Sequence, residues 1–546
     1  MTGQFGRRQD GSPRTHWGEH QALYWMAGVL LLAAAIRLPL LSVAFERDEG
    51  EYAYVGQLLL QGIAPYELAD TMKLPGVPAI YAALMSLFGQ THVGIHFGLL
   101  LVNAFTALLL FVLGGRLIGK LAGTAAAGFF VVTSTLQSVQ GLWANAEHFV
   151  LPFALMGILM FLRWLDGGRY QTLIGAGFLL GSAVLMKQHG AAFLLFVGTC
   201  LVWELVVSRT GHWSPPLKAV GSLVWGAAIP LVVMGLLVYA LGGFDKVLFG
   251  ATEHSTANSL EEGWLNLVGS GTPFWRQTLP IVLMASVAPL CLDWSPLRRT
   301  KSLRIVLFGL FSILAISPGL ISGPSNFVLL LPAVALFAGA TIGRCYQLLC
   351  EVTQSVLARS LPGVLALAML AITLLSNQDY LFHSSPEQVT RSTYGITPLS
   401  ESVEIGEWLR ENTSPDETIA VIGSEPQIYF YAQRHSATRY IYTFPLMEEH
   451  PAAKTLQREM AEEIEAAAPE YLVYVHETSS WDFTKQSSTD IFDWFWDYQQ
   501  QFQIVGWSEA HPDKSTVHWG RPKSWPPETE SYVAVYRRAQ ASRPGR

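Results

Sequence analysis

The chain has 546 residues, of which 51% are hydrophobic, 12% aromatic and only 14% charged. Soluble domains carry about 25% charged residues, which argues against a purely cytosolic enzyme and against a nucleic-acid binder. The charge is uneven: residues 1–376 hold 17 acids and 21 bases, a net of +4, and residues 377–546 hold 25 acids and 14 bases, a net of −11.

In chain order, a segment over 1–20 with Arg7, Arg8 and Arg14 precedes an apolar run at 21–41. No small-residue cleavage site follows, so the run reads as a retained signal-anchor and 1–20 as a cytoplasmic segment. A bilayer core of ~30 Å needs about 20 apolar residues in helix. Further runs of that kind lie near 91–114, 121–139, 149–165, 171–186, 190–207, 219–241, 277–294, 302–321, 326–343 and 360–376. With the first they make eleven expected spans. Leu74 to Gly89 is uncharged but short and broken by Pro75, Gly76 and Pro78, which suits an interfacial helix better.

The positive-inside rule settles the orientation expected. With 74–89 left out, the cytoplasmic loops carry fifteen Lys and Arg against four outside. Counting 74–89 as a span would move twelve of the fifteen outside. Loops 42–90, 140–148, 187–190, 242–276 and 322–325 then share the external face with everything after 376.

The most informative stretch is Glu46-Arg-Asp-Glu-Gly-Glu-Tyr-Ala-Tyr54. Glu46, Asp48, Glu49 and Glu51 fall within six positions, and in a helix Asp48 shares a face with Glu51 and Tyr52. Acids crowded in a partly dry cleft can poise a general base; a solvated acidic turn accounts for the spacing equally well. Lys73, the pair Glu147 and His148, and Lys187 with Gln188 and His189 recur on the same face. Singly, the lysines could snorkel to headgroups, Glu147 could cap a helix and the histidines could simply pack. Together they set a cationic pair opposite carboxylates, which is what holding a phosphate and deprotonating a hydroxyl requires. Asp48, Glu49 and Glu147 are candidate ligands for a divalent cation, though no spacing demands one. Cys200, Cys291, Cys345 and Cys350 lie in or beside apolar runs and read as small buried residues.

From 377 the pattern becomes that of a soluble α/β domain. Strands are expected at Thr418–Gly423, Tyr440–Tyr442, Tyr471–His476 and Ser531–Tyr536, with an amphipathic helix over Ala452–Ala468. Without cysteines, this block is expected to fold on its own core. The Gly423-Ser-Glu-Pro426 turn has a geometry that can hold an anion or serve only as a turn.

Asp48-Glu-Gly-Glu-Tyr-Ala53, Gly62-Ile-Ala-Pro-Tyr66 and Asp70-Thr-Met-Lys-Leu-Pro-Gly76 together resemble the first external loop of glycosyltransferase family 39, bacterial members included. That family has the GT-C fold and uses polyprenyl-phosphate sugars; protein O-mannosyltransferases and the lipid A aminoarabinose transferase belong to it. The resemblance continues at Glu147, Lys187, the Pro332 region and Thr418–Tyr429 with Arg434 and Arg439. It implies a polytopic GT-C membrane domain over 21–376 and an extracytoplasmic α/β domain over 377–546. It also implies Asp48 as catalytic base, Glu147 as a holder of acceptor or cation, and Lys73 and Lys187 as neutralisers of the lipid-linked phosphate. The sequence departs from the family before the tenth span, where Ser325-Asn-Phe327 stands in place of His-Tyr with a nearby base.

The function expected is therefore an inverting membrane glycosyltransferase of the plasma membrane. It would move a hexosyl or pentosyl group from a polyprenyl phosphate to an acceptor hydroxyl on a lipid, glycan or protein. Glu49, Glu51, Tyr52, Tyr66, Lys73, Glu147, His148, Lys187 and His189 are expected to contact donor or acceptor. A polytopic transporter or lipid flippase is the alternative.

Overall fold

A computed structural model describes residues 19–64, 66–71, 73–207, 216–242, 260–296, 298–316, 323–449, 451–511, 515–529 and 531–539. Arg7, Arg8, Arg14 and part of the loop expected at 242–276 lie outside the described residues.

The N-terminal two thirds are helical. The helices are α1 (Glu19–Arg37), α2 (Arg47–Leu60), α3 (Gly76–Phe88), α4 (His92–Leu117), α5 (Lys120–Thr133), α6 (Ala146–Leu165) and α7 (Tyr170–Met186). They continue as α8 (Ala191–Val207), α9 (Pro216–Ala240), α10 (Leu260–Cys291), α11 (Arg299–Leu314), α12 (Leu331–Val352) and α13 (Val356–Ser376). Each of the eleven apolar runs thus carries a helix. Among the described residues, seven of these helical stretches are long and apolar enough to cross a bilayer unaided. The protein is a multi-pass membrane protein, because leucine, valine and tryptophan side chains on α8 and α9, and leucine and valine side chains on α13, lie open on the outside of the bundle and only lipid covers such a surface at no cost.

α3 has 13 residues and α5 has 14, each about 20 Å at 1.5 Å per residue, short of a ~30 Å core. All four cysteines are free, and only Cys200 is fully buried.

The C-terminal part holds α14 (Pro386–Tyr394), α15 (Leu399–Asn412), α16 (Gln427–Ala432), α17 (Ala453–Ala467) and α18 (Asp490–Tyr498) around one six-stranded sheet. Its strands are β1 (Thr418–Ile422), β2 (His435–Ser436), β3 (Tyr471–His476), β4 (Phe502–Ala510), β5 (Ser515–Trp519) and β6 (Tyr532–Arg538), in the order β2-β1-β3-β6-β4-β5. β1 runs parallel to β2 and β3, and the rest pair antiparallel. Alternation along β3 divides the sheet. Leu472 and Tyr474 face a core built with α17 and α18, while Tyr471, Val473 and Val475 face the opposite one.

That second core corrects two expectations. It joins the sheet, α15 and α16 to Phe45, Tyr54, Val55 and Tyr81 of the first loop and to Phe149 of α6. The block after 377 therefore does not fold on its own core alone. Residues 440–442 are not a strand either. Tyr440 instead donates to Glu459 at 2.5 Å and the chain turns, because polar partners on α17 draw it away from the sheet. β4 and β5 were not apparent in the sequence, where Gly506 and Ser508 interrupt the apolar alternation.

Candidate active site at the junction of bundle and C-terminal domain

The acidic stretch becomes helical for a local reason. Glu46 is the N-cap of α2: its side chain accepts from the Glu49 N–H at 2.9 Å, and Glu49 reaches back to the Glu46 N–H at 3.3 Å. Asp48, Glu51 and Tyr52 consequently share a face, as the spacing predicts.

Lys73 closes that face. Its ammonium lies 2.6 Å from Asp48 Oδ1 and 2.7 Å from Glu51 Oε2, and 4.7 Å from the centre of the Tyr52 ring. Its backbone is fixed from below, since Tyr66 donates to the Lys73 carbonyl at 3.1 Å and the Lys73 N–H donates to Thr71 Oγ1 at 3.1 Å. Thr71 in turn donates to the buried Glu51. Tyr66 is thus a support for Lys73, held at a φ of 74°.

Exposure separates the two acids. The Asp48 side chain is 49% exposed and that of Glu51 only 2%. Burial raises the Glu51 carboxyl in spite of Lys73. For Asp48 burial works the same way, but Lys73, Lys187 and the Tyr442 hydroxyl outweigh it and hold the carboxyl below its ordinary value. Burial opposes the Lys73 charge too, yet Asp48 and Glu51 together hold its ammonium well above the ordinary lysine range. The outcome is an accessible carboxylate beside a permanent cation. Both bonds Asp48 makes end on Oδ1; Oδ2 has no hydrogen-bond partner among the described residues.

A second ion pair lies beside the first. Lys187 Nζ is 2.5 Å from Glu147 Oε1 and donates to Asn326 Oδ1 at 2.8 Å, and Ser325 Oγ donates to Glu147 Oε1 at 3.0 Å. Close packing of α3 on α7 brings the pairs together: a Cβ on Gly76 would stand 2.6 Å from the Leu185 carbonyl oxygen. The Ser325-Asn326 loop, which carries no base, therefore serves the site by fixing Lys187 and Glu147.

Two residues expected to contact donor or acceptor are instead buried. Glu49 is fully buried, with Oε1 2.9 Å from His96 Nε2 and accepting from the Ala144 N–H at 2.5 Å. It clamps the second loop onto α2, helped by Trp143 Nε1, which donates to the Ala44 carbonyl at 2.9 Å. His148, adjacent to Glu147 and so about 100° around the helix, is buried with Nδ1 3.1 Å from Asn103 Oδ1. Both are structural. The proposed cation ligands also fail to converge. Asp48 and Glu147 each hold a lysine, Glu49 holds His96, and among the described residues no three His, Cys, Asp or Glu side chains are placed to bind a metal ion. His189 is buried with neither ring nitrogen hydrogen-bonded among the described residues.

Sequence reading missed the contribution of the C-terminal domain. The Tyr442 hydroxyl donates to Asp48 Oδ1 at 3.3 Å, across 394 positions. Arg47 donates to Glu425 at 2.8 and 3.0 Å, to Glu477 at 3.0 Å and to the Ser479 carbonyl at 2.8 Å. The Gly423–Pro426 turn is tied up within the chain: the Glu425 carboxylate accepts from Arg47 and from Gln427 Nε2, and the Ser424 N–H donates to Ser480 Oγ at 2.8 Å. Arg439 pairs with Asp70, Glu459 and Glu463, and Arg434 ties backbone carbonyls together. No local pattern announces Tyr442 or Arg47.

Residues 72–234 match the family model described as dolichyl-phosphate-mannose-protein mannosyltransferase. The match contains Lys73, Glu147 and Lys187 and stops short of Asp48. The structure is similar to that of ArnT from Cupriavidus metallidurans bound to undecaprenyl phosphate, with 15% identity, a TM-score of 0.56, and coverage of 95% of this chain and 98% of that one. It is also similar to the archaeal oligosaccharyltransferase AglB from Archaeoglobus fulgidus, in complex with an inhibitory peptide and a dolichol-phosphate, with 13% identity, a TM-score of 0.53, and coverage of 94% of this chain and 75% of that one. No curated protein matches in sequence. The fold is GT-C, a polytopic helical domain followed by a C-terminal α/β domain, as the first-loop motifs imply.

Proposed function

We propose that the protein is a membrane glycosyltransferase that moves a sugar from a polyprenyl phosphate to an acceptor hydroxyl, with Asp48 as base. One observation carries this reading: the half-exposed Asp48 carboxylate, ionised by Lys73 and with Oδ2 unpartnered among the described residues, stands beside a second lysine. The similarity of residues 72–234 to the mannosyltransferase family model supports it, as do lipid phosphates bound to two proteins of the same fold.

In the reaction, the acceptor oxygen attacks the anomeric carbon and its proton passes to Asp48 Oδ2. The bond from that carbon to the phosphate oxygen breaks on the opposite face, so the configuration inverts. The polyprenyl phosphate leaves with the bonding pair, and Lys73 and Lys187 neutralise the charge that develops on it. Glu51 keeps Lys73 in place while the phosphate draws it from Asp48, which returns basicity to Asp48 when it is needed. The loop basicity of the sequence puts this chemistry on the extracytoplasmic side, with a hexose or pentose as the group transferred.

The test is transfer by the purified full-length protein from a polyprenyl-phosphate mannose to a mixed panel of lipid, glycan and hydroxyl-peptide acceptors, read by mass spectrometry. Asp48→Asn should lower turnover by about 10²–10⁴-fold while the protein stays folded. Near wild-type turnover of that variant would sink the assignment. Uptake of the intact donor into vesicles without transfer would favour a flippase.

A further inference from the structure

The segment around Tyr442 is held against the first loop from both sides. On one side the Asp70 N–H donates to the Arg439 carbonyl at 2.7 Å and Arg439 Nε lies 3.3 Å from Asp70 Oδ2. On the other, the Thr443 N–H donates to Ser424 Oγ at 2.9 Å, Thr443 Oγ1 donates to the Ser480 carbonyl at 3.0 Å, and the Phe444 ring lies 5.9 Å from the Arg47 guanidinium. Between these anchors the Tyr442 ring sits 5.4 Å from the ring of Phe444 and 5.6 Å from the Lys73 ammonium. From this position the hydroxyl donates to Asp48 Oδ1 at 3.3 Å.

A carboxylate held by one flexible lysine can rotate about its terminal bond, and either oxygen can then turn away from an acceptor. Lys73 and Tyr442 approach the same oxygen, Oδ1, from two different elements. Two anchors on one oxygen fix the plane of the group and leave Oδ2 to receive the proton. The tyrosine also survives a change that the lysine does not: when the phosphate of a donor draws Lys73 away, the hydroxyl stays.

We infer that Tyr442 is a positioning residue for the transfer reaction, so that the C-terminal domain completes the active site instead of only covering it. This rests on the reading of Asp48 as base. The tyrosine does not touch the reacting atoms; it acts by orienting Asp48 and by favouring its ionised form.

The test uses full-length protein in detergent and a water-soluble carbodiimide with an amine nucleophile. This chemistry consumes protonated carboxyls, and labelling at Asp48 is followed against pH by peptide mass spectrometry. Tyr442→Phe keeps the ring over Lys73 and removes only the hydroxyl. It should raise Asp48 labelling at a fixed acidic pH roughly threefold to tenfold, since loss of a hydrogen bond to the charged form raises a carboxyl. It should also lower turnover about tenfold, with donor KM held. Asp70→Asn loosens one of the two anchors of the Tyr442 segment and leaves the hydroxyl itself present, so it should shift the labelling curve in the same direction but by less. An unchanged curve for Tyr442→Phe, or a shift in Asp70→Asn as large as that in Tyr442→Phe, overturns the inference. So does full turnover in Tyr442→Phe when Asp48→Asn is inactive. Should the labelling shift appear while Asp48→Asn turns over like wild type, the base assignment fails and the Tyr442 contact stands.

Discussion

Asp48, Glu51 and Lys73 form a triad in which one cation serves two acids of unlike exposure, and pH should act on them in a set order. Asp48 lies below its ordinary value, so its ionised contribution is complete above about 4 and is lost as pH falls through the lower folded value. Lys73 lies above its ordinary value, so its charge is complete below about 10 and is lost as pH rises through the raised value. Glu51 is raised and takes up its proton before Asp48 on acidification. As far as Asp48 and Lys73 decide it, the expected kcat/KM profile is flat between roughly 5 and 9; a base titrating near neutrality would contradict the assignment. Lys187→Ala should raise donor KM at least tenfold, because the phosphate loses one of its two cations, and should leave Glu147 buried without a counter-charge. A donor-binding measurement with a polyprenyl-phosphate mannose checks this. At this scale the sequence was legible in part. Helical spacing alone put Asp48, Glu51 and Tyr52 on one face, whereas Glu49 and His148 were misjudged because burial is not written in spacing.

Helix α2 is the element on which the site depends, and it is held at both ends by residues far along the chain. Arg47 at its start binds Glu425, which is fully buried, and Glu477, which is nearly so. Arg47→Ala would leave two carboxylates without their cation, at a cost of about 3 kcal/mol, seen as earlier thermal unfolding. Gly50 gives a test of opposite local sign. Alanine is the better helix former by roughly 1 kcal/mol, yet a Cβ on Gly50 would stand 2.6 Å from the Gln427 nitrogen and 2.8 Å from its Cα. Gly50→Ala should therefore destabilise the protein and reduce transfer, because α2 must move off α16. Greater stability in that variant would show that the contact gives way easily. The close approach explains the glycine; nothing in Asp48-Glu-Gly-Glu51 read alone distinguishes it from a flexible spot in an acidic turn.

The bundle and the C-terminal domain share a core, and this sets what can be separated. Ile405, Leu409, Ile428 and Tyr429 pack into the same cluster as Phe45, Tyr54 and Tyr81. Residues 377–546 produced alone would expose that face to water. They should aggregate or lose fixed tertiary packing, visible as a weak near-ultraviolet circular dichroism signal beside retained far-ultraviolet signal. A monomeric, cooperatively unfolding fragment would contradict the shared core. The length and composition of the apolar runs determined where the bundle helices lie, because burying a helix in lipid needs only local hydrophobicity. Hydrophobic runs likewise marked β1, β3 and β6, and helical spacing marked the Asp48–Glu51–Tyr52 face of α2. Tertiary structure alone decided which acid pairs with which base, which carboxylate stays accessible, and that Tyr442 and Arg47 belong to the site. Those contacts join positions 394 and 378 residues apart. A pairing over such a separation leaves no period in the chain; it exists only once two cores have closed against each other.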